Sequence, residues 1–111
     1  MADTIKVLGQ LNPAATTNET LYTVPDVTSV TSSTLLLCNL SGSGITYRVA
    51  VRPKGAAISN KHYLYYDKAL AANESFASTI GMTLAQSDVV TVYASNTNLA
   101  VTLFGVETDQ S

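Results

Sequence analysis

Apolar and polar residues alternate along eight short stretches of this chain: Val7 to Gln10, Leu21 to Val24, Thr34 to Leu40, Ile45 to Arg52, Tyr63 to Tyr66, Ser75 to Ile80, Val89 to Ser95 and Leu99 to Val106. Successive side chains of a strand face opposite ways, so each stretch predicts a strand with one buried and one wetted face. In Ile45-Thr46-Tyr47-Arg48-Val49-Ala50-Val51-Arg52 the odd positions line a core, while Thr46, Arg48 and Arg52 stay outside. No stretch keeps helical spacing over the length of a helix, and the alanine-rich run Lys68 to Asn73 is too short to hold one alone.

The breaks between strands have visible causes. Pro25-Asp26 turns the chain after Val24, and Ser41-Gly42-Ser43-Gly44 makes a hairpin loop. Pro53-Lys54-Gly55 stops the strand that ends at Arg52 and opens a longer loop to Lys61. Asn96-Thr97-Asn98 closes the last hairpin, because asparagine tolerates the left-handed conformations of tight turns. Hairpins imply antiparallel neighbours, and about eight strands close as two packed sheets. The expected fold is an all-β, antiparallel β-sandwich of about eight strands, jelly-roll or immunoglobulin-like. Residues 1–18 form an N-terminal strand or arm and residues 19–111 the sandwich, in a single domain overall. The last strand, Leu99 to Val106, is apolar on both faces; it belongs at the centre of a sheet or against another subunit, since an exposed edge of that kind invites aggregation. A buried Phe104 follows from this placement.

Composition changes the picture in one respect. Charged residues make up 13% of the 111, about half the usual share, and 26 serines and threonines supply the polar surface instead. Hydroxyls cost less to desolvate than ions, so such a surface suits broad contact with other protein. The net charge of −2 argues against nucleic acid as a partner, because neutralising phosphates needs a basic excess. No apolar run is long enough to span a membrane, and the start, Met1-Ala2-Asp3-Thr4-Ile5-Lys6, does not read as a signal peptide. Synthesis in a cytoplasm is the expectation. The single cysteine, Cys38, permits no internal disulfide and is expected as a small buried apolar residue.

Catalytic apparatus is sparse. The one histidine, His62, would need a partner to orient its ring, and Asp67 lies five residues on, about 16 Å along an extended strand. One Cys and one His make no zinc site within a monomer. Gly42 and Gly44 precede a strand rather than a helix, so they do not cradle phosphate. Asn18-Glu19-Thr20, Asn39-Leu40-Ser41 and Asn73-Glu74-Ser75 match the glycosylation pattern by chance. No catalytic residue, cofactor or metal is expected, and the chain is not expected to be an enzyme.

Two constellations point to a partner instead. Arg48 and Arg52 share one strand face, with Lys54 and Lys61 in the loop that follows. About 13 Å apart, the two arginines cannot clamp one phosphate, but each suits a carboxylate on a partner; the alternative is an ordinary solvated face. In Lys61-His62-Tyr63-Leu64-Tyr65-Tyr66-Asp67, strict alternation puts Tyr63 and Tyr65 on one face and Leu64 and Tyr66 on the other. One pair belongs to the core and the other to an interface or a sugar-stacking surface, with the interface preferred because sugar binding usually asks for tryptophan as well and the chain has none. The candidate partner interface is therefore Arg48, Arg52, Lys54, Lys61, Tyr63 and Tyr65.

Several segments together carry a resemblance. Leu8-Gly9-Gln10-Leu11-Asn12-Pro13-Ala14-Ala15-Thr16-Thr17, Leu21-Tyr22-Thr23-Val24-Pro25, Cys38-Asn39, Arg48-Val49-Ala50-Val51-Arg52-Pro53, Asn60 to Asp67, Ile80 to Ala85, Asp88 to Ala94 and Leu103-Phe104-Gly105 resemble a family of small virion structural proteins of tailed bacteriophages, notably those of cyanobacteria and marine bacteria. A looser likeness joins Thr83-Leu84-Ala85-Gln86-Ser87-Asp88-Val89-Val90-Thr91-Val92 to trimeric jelly-roll heads, with Ser87 where those domains commonly carry glycine. The resemblance implies incorporation in a virion, other virion proteins (the major capsid protein or tail proteins) as partners, and a homo-oligomer, with a trimer favoured. A capsid decoration or cement protein on the head exterior ranks first. A tail, baseplate or fibre module follows, and then a host-surface glycan adhesin. The polar N-terminal arm is expected to lie along an adjacent subunit as an added strand.

Overall fold

The computed structural model describes residues 2–110 and is built almost entirely of strands. In chain order these are β1 (Asp3–Leu11), β2 (Glu19–Thr23), β3 (Thr28–Asn39), β4 (Ile45–Arg52), β5 (Tyr63–Leu70), β6 (Ser75–Ser78), β7 (Thr83–Leu84), β8 (Val89–Ala94) and β9 (Leu99–Asp109). Two short 3-10 turns, Pro53–Gly55 and Asn60–His62, lie in the loop between β4 and β5. The first sheet runs β1-β9-β3-β6, with β7 also paired to β3, and the second runs β2-β8-β4-β5. Every named pair is antiparallel. The chain passes from one sheet to the other at β1–β2, β2–β3, β3–β4 and β5–β6, and again around β8. That interleaved order is the wiring of a jelly roll, and it settles the choice left open between jelly-roll and immunoglobulin-like sandwiches.

The core lies between the sheets and is made by the alternation that predicts it. Tyr47, Val49 and Val51 of β4 face Leu35 and Leu37 of β3 and Leu99, Val101 and Leu103 of β9 across one cluster. As expected, β9 is central, flanked by β1 and β3. Phe104, however, points the other way: it is 36% exposed on the outer face, because the buried positions of β9 are the odd ones and the hydrophobic register leaves 104 outside. Cys38 is also outside, half-exposed opposite Ala100 and Ser75, since Leu37 and Asn39 take the inward positions. Its expected burial is corrected accordingly.

The N-terminal segment takes the form of a strand rather than an arm. Asp3–Leu11 is hydrogen-bonded to β9 of its own chain, so no free arm remains there to lie along a neighbour. The Cβ that any other residue would carry at Gly105 would lie 2.6 Å from the Thr31 carbonyl and 2.9 Å from Leu8 Cδ1, so only glycine lets β9 pass beneath the irregularity of β3. Asn39 is buried and ties the sheets together. Its amide donates to the carbonyls of Ser43 (2.8 Å), Leu70 (3.2 Å) and Ala71 (3.0 Å), while its oxygen accepts from Ser41 N–H and Oγ.

Candidate functional site

The outer face of the second sheet carries most of the side chains singled out in the sequence, and β5 decides how they are arranged. Tyr63 pairs with Ala50, Tyr65 with Val49 and Lys68 with Tyr47, so two extra residues of β5 are absorbed in two bulges. Asp67 takes a left-handed conformation (φ 50°) within the second. The bulges break the alternation that would put Tyr63 and Tyr65 together. Tyr65 turns inward with Val49, and its ring meets Tyr47 and Phe76 edge-on at 6.0 and 5.9 Å. Its hydroxyl lies 2.8 Å from Ser78 Oγ on the opposite sheet. Tyr65 is therefore a core residue and leaves the candidate interface.

Tyr66 takes its place on the outside. Its ring meets Tyr63 edge-on at 4.8 Å, and together with Asn60 the two rings line an open pocket of ≈ 340 Å³. Arg48 lies between two rings, 4.2 Å from the centre of Tyr66 and 4.1 Å from that of Tyr93. Asp67 holds the edge of the guanidinium, with Nε donating to Oδ1 at 2.7 Å and a second nitrogen to Oδ2 at 3.4 Å. These hydrogen bonds to Asp67 raise the Arg48 pKa above its ordinary value. The carboxylate sought on a partner is supplied by the chain itself.

Arg52 is likewise engaged within the molecule. It donates to Thr91 Oγ1 at 3.1 Å and to the carbonyls of Gly55 and Ala56 at 3.3 and 3.0 Å. Those contacts fold the loop after β4 back over the sheet, which is why Ala50 and Thr91, both outward in register, are buried. Lys54 and Lys61 stay exposed in that loop; Lys54 has φ 53° and gives its backbone N–H to Asp88 Oδ1. His62 is buried, and its Nδ1 accepts the Ser59 N–H at 3.0 Å, a structural contact that fixes the 3-10 turn. Of the six sequence candidates, the fold brings Arg48 and Tyr63 to one site and sends Tyr65 to the core. Alternation does not bring Tyr66, Tyr93 and Asn60 here: it puts Tyr66 on the opposite face, Tyr93 lies on β8, and Asn60 stands in the 3-10 turn just before the tyrosine run, where periodicity carries no signal.

Among the described residues, no group of three His, Cys, Asp or Glu could hold a metal ion, and no helix is long and apolar enough to cross a membrane. Comparison with protein-family models and with curated proteins found no match.

Proposed function

We propose that this chain is a non-catalytic structural protein of a tailed-phage virion, seated on the outside of the head as a decoration or cement protein and assembled as a homo-oligomer, a trimer at a three-fold position. The observation that carries this is the outer face of the first sheet. Ile5 and Val7 of β1, Phe104 and Val106 of β9, Leu36 of β3 and Ala77 of β6 point away from the core, interspersed with Thr31, Thr34 and Thr102. Ile5 is 86% exposed. Among the described residues, no charged side chain stands on this face between Ile5 and Ala77. Depletion of charge around exposed apolar and aromatic groups marks the centre of a protein interface.

The size of the face fits a shell. Four strands ~4.8 Å apart and ~25 Å long give roughly 500 Å² of projected area, of the same order as the roughly 800 Å² of accessible surface that each partner buries in a standard interface. Contacts of that size hold firmly when the copies are linked, as in a trimer, and bind an ordered lattice together. The sequence resemblance to phage virion proteins supports the same assignment. The test is cryo-electron microscopy of the particles with density traced for this chain. Many copies over the capsid, with the first sheet inward, are expected. A few symmetric copies on the tail would move the protein to the tail assembly, and absence from the particle would overturn the proposal.

A further inference from the structure

The geometry points to a saccharide-binding site on the second sheet, where Tyr63, Tyr66 and Asn60 take a neutral mono- or disaccharide. Tyr66 is 57% exposed yet is not loose: Arg48 covers one face, Tyr63 abuts it, and Asp67 and Tyr93 hold Arg48 in turn. A rigid, exposed phenol gives contact area at little entropic cost on binding. The left-handed Asp67 and the two bulges are what aim Tyr66 outward beside Tyr63, and bulges are common next to sites, where they re-aim a side chain.

The chemistry selects the ligand. Ring faces suit the C–H-rich face of a pyranose, and the Asn60 amide both donates and accepts, as neighbouring sugar hydroxyls require. The charge of Arg48 is already matched by Asp67, so a neutral ligand fits better than an anion. A pocket of ≈ 340 Å³ is at the small end for ligand sites, which suits one or two sugar rings. A peptide added as a strand fits poorly, because the bulges interrupt the free edge of β5. The site is independent of the face assigned to the shell, and on a mounted particle it would look outward.

The test is an NMR titration of the isotopically labelled, purified chain with glucose, galactose, N-acetylglucosamine and maltose at millimolar concentration, and separately with a polyproline peptide. Expected are shifts confined to Asn60, Tyr63, Tyr66 and their neighbours with at least one sugar. Tyr66→Ala should weaken that binding by about tenfold or more, with an otherwise unchanged spectrum, whereas Tyr66→Phe should retain most of it. No shift with any sugar, shifts that survive Tyr66→Ala, or shifts with the peptide alone would each overturn the assignment. Because the titration uses free protein, its failure leaves the particle experiment untouched, and the converse holds as well.

Discussion

Tyr47 is fully buried at the centre of the core, yet its hydroxyl has no hydrogen-bond partner among the described residues. Burial pushes its pKa up to about 12 from an ordinary 10.0. A folded-state pKa above the unfolded one means that the stabilisation is complete below pH 10 and is lost as pH rises towards 12. Tyr47→Phe removes an unsatisfied hydroxyl and keeps the ring, so urea unfolding at neutral pH should show stability unchanged or raised by about 1 kcal/mol. The same variant should lose stability less steeply between pH 10 and 12. A loss at neutral pH would mean that the hydroxyl is satisfied after all. Val27 carries strain of another kind: a β-branched, half-exposed residue at φ 53°, a conformation that favours glycine. Its backbone N–H and carbonyl are both used, by Gln86 Oε1 and Gln110 N–H, and glycine keeps both. Val27→Gly should therefore raise stability by about 1 kcal/mol, the relieved strain exceeding the entropy of glycine; a lower melting temperature would count against it.

At the scale of elements, β5 shows what alternation conveys and what it does not. β4 keeps strict alternation from Ile45 to Arg52, and its inward and outward residues are those read from the sequence. Its neighbour β5 holds six residues, Tyr63 to Lys68, against four of β4, and no local signal marks the two that are extra. Bulges of this sort depend on pairing across strands, which a single segment does not encode. The same limit applies to β3, whose first half places Ser32 inward. The apolar pattern is missing there, and the strand exists because β9 and β7 pair with it and Ser32 Oγ receives the Met82 N–H. Two adjacent tyrosines of β5 test the reassignment. Tyr65→Ala empties a core position and breaks the link to Ser78, and should cost about 3–5 kcal/mol in chemical denaturation. Tyr66→Ala removes an exposed ring and one face of the Arg48 stack, and should cost about 1 kcal/mol or less. Equal losses would contradict the placement of the two rings on opposite faces.

The whole molecule has two sheets with unlike outer faces. The second is capped by its own loop, pinned by Arg52, and carries the Arg48–Asp67 ion pair. The first is bare and centred on β9, with no charged side chain between Ile5 and Ala77 among the described residues, and Phe104 stands in the middle of it between Val7 and Thr34. This asymmetry separates folding from assembly, because a residue on the bare face contributes to a subunit contact without holding the core. Phe104→Asp is the sharp case. Within one chain the aspartate points to solvent, so the purified variant should fold and melt within about 1 kcal/mol of the parent. Against a partner the buried carboxylate would lack a counter-charge, and truncations at the centre of such contacts commonly cost 2 kcal/mol or more. Occupancy on reconstituted particles, or the oligomer in light scattering, should fall by at least about tenfold while circular dichroism stays unchanged. If Phe104→Asp unfolds the isolated chain, the ring belongs to the core after all. If the variant folds and binds as the parent does, the contact lies elsewhere than on the first sheet, and the loop-capped second sheet becomes the face to map next.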